Sequence, residues 1–234
     1  MRSTLSTARR FAAVAAVVPL AVLGSFALPA SAQYDEGEWC EGAEVTKTVT
    51  DKSPRTVTGT SKDDVVLIKD PGHVVYLLDG NDYVCGSEGG DVVYGGEGDD
   101  RLYGKAGPDA LHGESGHDKL KGEEGRDKQY GGEDSDYLAG GPGQDTQDGG
   151  AGDDWMYGEG QPDTMNGGGG SDTLEGGNGD DAVSGGKGDD CLNGGNGEDD
   201  LDGNAGHDEL DSGDAEEPEK PDAQASSDEE KADL

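Results

Sequence analysis

The feature that most restricts this chain is a period of nine. From Gly86 to Asp211 run fourteen consecutive nine-residue units without insertion or deletion, each opening with glycine and carrying aspartate at its sixth place. The clearest copies are Gly95 to Tyr103, Gly176 to Ser184 and Gly185 to Asn193. Their shared pattern is G-G-x-G-x-D-x-U-x, with U a large aliphatic residue. A fixed period of this kind marks an architecture of stacked repeats, in which each unit packs only against its neighbours.

Composition by itself points the other way. Hydrophobic residues make up 30% of the 234 residues, glycine supplies 44 and the formal net charge is −36. So little apolar surface does not normally offset the entropy of ordering a chain. Period and composition agree if a ligand decides whether the chain orders. The charge disfavours nucleic acid and anionic membranes as partners and favours cations.

The period reaches back, imperfectly, to Gly59. Residues 59–211 hold seventeen units, and aspartate fills the sixth place in sixteen: Asp64, Asp82, Asp91, Asp100, Asp109, Asp118, Asp127, Asp136, Asp145, Asp154, Asp163, Asp172, Asp181, Asp190, Asp199 and Asp208. His73 stands in the remaining one. Places one to six read as a glycine-rich turn and places seven to nine as a three-residue strand. Glycine permits positive φ and close backbone approach, so carbonyl oxygens can converge on one point. Carbonyl and carboxylate oxygens are what a hard cation such as calcium prefers.

These residues resemble the family of hemolysin-type calcium-binding repeats, also called repeats-in-toxin. The resemblance implies an all-β fold, a right-handed parallel β-roll whose coils take two units, eighteen residues, each. It also implies that calcium sits between turns stacked on one side, held by sixth-place aspartates and turn carbonyls. Carried over by position, Asp82 shares an ion with Asp100, Asp91 with Asp109, and so on to Asp190 with Asp208; with Asp64 and Asp82 included, fourteen such pairs are the upper limit. Asp134 and Gln161 replace the fourth-place glycine, and several turns carry Glu, Lys or Asn second, so some sites are expected to be weak or empty.

Strand alternation tests the β-roll separately, because it sends the eighth side chain inward and the seventh and ninth outward. One face stacks Val66, Val84, Leu102, Leu120, Leu138, Met156, Leu174, Leu192 and Leu210. The other stacks Val75, Val93, Leu111, Gln129, Gln147, Met165, Val183 and Leu201. The two glutamines fall in adjacent coils of one face. They read either as repeat decay or as a short ladder of side-chain amides bonded to each other. With about 4.8 Å between coils the roll is about 40 Å long. Its two thin columns bury little, and stacked carboxylates repel until a divalent ion bridges them. The expectation is coupled folding, loose without calcium and ordered with it.

The flanks differ from the repeats. Residues 1–32 read as a secretory signal peptide: Arg2, Arg9 and Arg10 lead, Phe11 to Leu28 is apolar, and Ala30-Ser31-Ala32 is a small-x-small cleavage site. The alternative is an uncleaved anchor, against which Pro19, Gly24 and the cleavage triplet argue. Arg9-Arg10 is a weak match to twin-arginine export. Residues 33–58 carry two stretches of β-branched residues, Val45 to Thr50 and Thr56 to Thr58, and read as a small N-terminal β cap with Trp39 packed over the end of the stack. Residues 212–234 read as a disordered acidic tail.

Other chemistry is sparse. Cys85 and Cys191 lie six coils apart, about 29 Å, and cannot pair. Secretion permits a disulfide, and Cys40 with Cys85 would pin the cap to the first coils, but the sequence leaves that pairing open. Cys191 is then a free thiol or an intermolecular link. His73, His112, His117 and His207 are scattered, and no hydrolase or metalloprotease motif occurs. Tyr76, Tyr94, His112 and Tyr130 line up at eighteen-residue steps, which suits cross-strand packing or contact with a partner. The sequence therefore predicts a secreted, non-catalytic, calcium-binding β-roll that serves as an extracellular structural or adhesive element. A calcium-dependent binder of an extracellular protein or glycan, or a calcium buffer, is the second expectation.

Overall fold

The computed structural model describes residues 39–40 and 42–213. The expectations for the signal peptide, the acidic tail beyond 213 and the side chain of Trp39 lie outside the described residues. The described chain holds strands and turns and no helix, and so none long and apolar enough to cross a membrane.

Two parallel sheets form the body. A ten-stranded sheet starts at Lys47–Val49 and ends at Glu209–Asp211; a nine-stranded sheet starts at Thr56–Thr58 and ends at Asp200–Ala205. Successive strands in the chain alternate between the sheets, so the chain winds as a parallel β-solenoid. Partners within a sheet lie eighteen residues apart, as in Val93↔Leu111↔Gln129. The stretch expected as a cap takes part in this winding. Thr56–Thr58 pairs in parallel with Val74–Asp79 at the regular spacing, and Lys47–Val49 pairs with Val65–Ile68 at nineteen. An antiparallel hairpin, Trp39–Cys40 with Ala43–Glu44, precedes it, and a Cys40–Cys85 disulfide ties that hairpin to the strand Tyr83–Cys85. By the loop-entropy relation, closing a separation of 45 residues stabilises the fold by about 4 kcal/mol.

The strands are longer than the sequence pattern suggests. Each regular strand has six residues, running from the seventh place of one unit through the third place of the next, as in Val92–Glu97 and Ala110–Ser115. Pairing covers the seventh to ninth places, skips the first-place glycine, and resumes at the second and third: His112 pairs with Tyr94 and Glu114 with Gly96, while Gly113 and Gly95 are stepped over. The cause is positive φ at the second place, which bends the strand while leaving its remaining peptide groups facing the next coil. Backbone hydrogen bonds then continue into the turn, as from Gly98 N–H to the Ser115 carbonyl at 2.8 Å, so few peptide groups go unmatched.

The inward columns lie where alternation puts them. Val66 to Leu192 on one face and Val75 to Val183 on the other are buried and form one cluster, joined at the start by Val49 and Val57. Leu201 is only partly buried and Leu210 is 47% exposed, because no described residue covers the last coil. Ile68 and Leu77 also belong to the core. They occupy the first place of their units, which is glycine in every later unit, and they add aliphatic carbon to the core in the first coils.

Candidate metal centres

The turns join the sheets at two edges. At both, the sixth-place aspartates from Asp64 to Asp190 are buried, Asp199 and Asp208 are partly so, and the two carboxylate oxygens play different parts. Oδ1 accepts a hydrogen bond from the backbone N–H of the sixth-place residue eighteen positions earlier. Asp82 N–H thus donates to Asp100 Oδ1 at 2.7 Å, Asp100 N–H to Asp118 at 2.8 Å, and Asp91 N–H to Asp109 at 2.7 Å. The same bond occurs at every step from Asp64→Asp82 to Asp190→Asp208, and His73 N–H joins it by donating to Asp91 Oδ1 at 3.0 Å. The structure therefore brings together every aspartate pair that the nine-residue pattern selects.

Oδ2 divides the set. In Asp82, Asp100, Asp109, Asp118, Asp127, Asp136, Asp145, Asp154, Asp163, Asp172, Asp181, Asp190 and Asp199 this oxygen is buried and has no hydrogen-bond partner. A buried carboxylate oxygen left in that state is costly unless something positive meets it. In Asp64 the same oxygen accepts from the Thr60 hydroxyl at 3.0 Å and the Thr60 N–H at 2.7 Å; in Asp91 it accepts from the Ser87 hydroxyl at 2.7 Å. Asp208, in the last turn, is half-exposed. The hydroxyls at the second place of these two turns were visible in the sequence but carried no signal there, since Thr60 and Ser87 replace a residue that varies.

Space near Oδ2 is bounded by oxygen. At every first-place glycine from Gly95 to Gly176, an added Cβ would run into Oδ2 of the aspartate in its own unit and the carbonyl oxygen of the glycine eighteen residues on. For Gly131 these are Asp136 Oδ2 and the Gly149 carbonyl. Among the described residues no three His, Cys, Asp or Glu side chains gather to hold a metal. A cation placed in these turns would be held by carboxylate oxygens together with backbone carbonyls, a donor set suited to a hard ion. Orphaned oxygen and cradle together fit calcium.

Electrostatics agree. Burial pushes the carboxyls of Asp100, Asp109 and Asp163 up to about 8 from an ordinary 3.8, opposed by the hydrogen bond each accepts from backbone and assisted by neighbouring carboxylates. Asp118, Asp136 and Asp154 are raised to about 7 for the same first reason, and Asp82, Asp127, Asp145 and Asp172 to about 6. Without a counter-ion, these groups resist ionisation in the ordered coil.

The substituted turns keep their backbone shape. Lys105, Glu114, Glu123, Glu159 and Asn204 at the second place, and Asp134 and Gln161 at the fourth, all hold φ between 67° and 80°, on the positive side that glycine takes at these places in most other units. They keep the cradle at a cost in strain.

A further contact went unread in the sequence. Along the edge of Asp82 and Asp100, fifth-place side chains accept backbone N–H groups from the next coil: Asp63 from Asn81, Asn81 from Asp99, Asp99 from His117, Ser135 from Asp153, Asp153 from Ser171 and Asp189 from His207. These bonds run opposite in direction to the sixth-place series. On the other edge the fifth places include Gly90, Pro108, Arg126 and Pro162, and only Asp180 accepts such a bond, from Glu198. The fifth place is written x in the repeat pattern because carboxylate, amide, hydroxyl and imidazole groups all accept this bond on one edge while the other edge mostly goes without it.

The aromatic stripe is cross-strand packing. Tyr76, Tyr94, His112 and Tyr130 stack in one file with ring centroids 4.7, 4.5 and 4.6 Å apart and planes within 11° of parallel. Ring faces are turned to one another, which leaves mainly edges for anything outside.

Fold and turns define the class, a parallel β-solenoid with carboxylate-lined, carbonyl-rich turns stacked at both edges. A family model for the RTX calcium-binding nonapeptide repeat (4 copies) matches in overlapping segments from residue 74 to residue 210, more than half of the chain. The chain belongs to that family and is a calcium-binding repeat protein. No curated protein sequence matches it significantly.

Proposed function

We propose that this is a secreted, non-catalytic protein whose coils order as calcium fills both edges, and that it serves as an extracellular structural or adhesive element. The single observation that carries the reading is the series of thirteen buried Oδ2 atoms with no partner, one in each turn from Asp82 to Asp199 except that of Asp91. Those thirteen aspartates are the main ligands in this reading. Asp64 and Asp91 are weaker ones, because a hydroxyl already occupies Oδ2, and Asp208 is a terminal one open to solvent. Calcium, when bound, supplies the positive charge that lets the stacked carboxylates ionise without repulsion. The chain supplies the cradle, with first-place glycine keeping it free of carbon in every one of these turns but that of Asp82, whose unit opens on Leu77, and the Oδ1 bonds fixing each carboxylate's orientation.

Secretion is supported by the N-terminal pattern of Arg2 to Ala32 and by the Cys40–Cys85 disulfide, which belongs in an oxidising compartment. The test is a calcium titration of the chain from residue 33, followed at once by circular dichroism and by bound-ion stoichiometry. Uptake of several ions in step with a gain of strand signal is expected. A spectrum indifferent to calcium and chelator, with no ion bound, sinks the proposal.

A further inference from the structure

The outward side chains of the ten-stranded sheet are ordered by charge along the winding axis. The hairpin at residues 39–44 reaches this face at its first coils, where Cys40 is bonded to the outward Cys85. Beyond it, seven strands from Arg101–Ala106 to Glu209–Asp211 each present a seventh-place and a ninth-place side chain. The first two of these rows hold Arg101, Lys119 and Lys121, with Tyr103 beside Arg101. The next two are aromatic: Tyr137, Trp155 and Tyr157. The last three hold Glu175, Glu209 and Asp211, all exposed, with Thr173 beside Glu175 and the uncharged row of Cys191 and Asn193 between the acids. Three cations gathered on one face are notable in a chain of net charge −36.

Trp155 is the middle of the seven rows and is 57% exposed, the largest exposure of any big apolar side chain described. Arg101 stands three coils to one side of it and Glu209 three coils to the other, because both are 54 residues away. Such a face is complementary to itself in one arrangement only. Rotation by a half-turn about an axis through Trp155, parallel to the strands, lays the face on a copy with the winding axes opposed. Trp155 then meets Trp155, and Arg101 meets Glu209 of the other copy. With the axes alike instead, Arg101 falls on Arg101 and Glu209 on Glu209.

We propose that this sheet face is a self-association surface, joining two copies of the chain antiparallel about Trp155. Aromatic residues at the centre and charge at the rim are what protein interfaces favour, and the Arg101–Glu209 pairs at the two ends fix the register. From Arg101 to Glu209 the face is about 29 Å long and two side chains wide, which places the contact among small, reversible interfaces. The net charge makes two copies repel at long range, so added salt or bound cations strengthen the association. The inference stands on the outward rows and does not rest on the calcium reading.

The test is sedimentation velocity of the chain from residue 33 over a wide concentration range, in calcium at about 0.15 M salt. A concentration-dependent dimer is expected, weakened about tenfold or more by Trp155→Ala. Two charge sets decide the geometry: Arg101→Glu with Lys119→Glu and Lys121→Glu, and Glu175→Lys with Glu209→Lys and Asp211→Lys. Each set alone gives a monomer, and mixing the two restores a dimer of one with the other. Circular dichroism with calcium verifies that each variant retains the wild-type fold. A wild-type chain that stays monomeric, a dimer that survives either set, or a mixture that stays apart overturns the proposal. So does a monomer that is instead retained on an anionic polysaccharide through the same lysines. Failure of the calcium reading shows separately, as absent ion uptake whatever the state of association.

Discussion

Gln147 Nε2 donates to Gln129 Oε1 at 2.6 Å inside the apolar column of the nine-stranded sheet. Both side chains are fully buried, and each also donates across the core to a carbonyl of the other sheet, Gln129 to Ala139 at 2.8 Å and Gln147 to Tyr157 at 3.1 Å. The two breaks in the aliphatic column are therefore one bonded unit. Replacing either glutamine alone by leucine strands polar atoms of the other and costs about 1–3 kcal/mol. Replacing both costs less than the two single changes added, and a double-mutant cycle by denaturant unfolding in calcium measures the difference.

The ladder ends on an acceptor. Gln147 Oε1 is buried without a partner, and the next residue in its column is Met165. Met165→Gln extends the ladder, because the new amide can donate to that oxygen as Gln147 does to Gln129. Met156→Gln, in the column of the other sheet, meets no amide. The second variant unfolds more readily by about 1–2 kcal/mol, measured as a shift in denaturation midpoint at constant m.

Gly131 and Gly169 separate the cradle from the rest of the turn. A Cβ at Gly131 collides with Asp136 Oδ2 and the Gly149 carbonyl, while one at Gly169 meets nothing within 4 Å. Gly131→Ala is expected to lower the number of bound calcium ions by one or two and to raise the calcium needed for ordering. Gly169→Ala leaves both unchanged. Equal effects of the two would show that the glycines serve the backbone and not an ion.

Metal-free order depends on pH in a direction set by the raised aspartates. Asp100, Asp109 and Asp163 titrate near 8 in the ordered coil against 3.8 as the ordinary value. Between those values the ordered state holds more protons than the unfolded one, so its stability falls as pH rises. In chelator, strand signal is therefore greater near pH 5 than near pH 8. Calcium uptake coupled to ordering at pH 7 releases few protons, because the aspartates of the loose chain are already ionised, whereas uptake near pH 5 by coils already ordered releases them, and calorimetry in buffers of different ionisation enthalpy separates the two. Order that increases from pH 5 to pH 8 without metal contradicts this.

Gln161 holds φ of 76° where adjacent coils have glycine. Gln161→Gly relieves the left-handed strain and stabilises the calcium-loaded protein by about 1 kcal/mol, read from thermal unfolding.

Much of this was legible in the chain. Because eighteen residues close one coil, the spacing of Val93, Leu111 and Gln129 fixed which side chains share a column, and the step from Asp82 to Asp100 fixed which carboxylates share an edge. Spacing does not report on what a neighbouring coil offers. Nothing in the pattern distinguished Asp91, whose Oδ2 accepts from Ser87, from Asp109, whose Oδ2 has no partner. The six-residue strands were hidden for a related reason: a glycine-rich run reads as turn, yet its second place bends and resumes pairing once a neighbour supplies the partners.

By itself the sequence determined the period, and with it the coil, the two columns and the alignment of acids, since identical units can stack only by bringing like positions together. Tertiary structure decided what lies between like positions: a hydroxyl, added aliphatic carbon at Ile68 and Leu77, an amide pair at Gln129 and Gln147, or an oxygen with nothing to meet it. The reason is physical. Periodicity sets the angular place of a residue, whereas burial and hydrogen bonding are properties of contacts between residues eighteen apart, which exist only after the coils have closed.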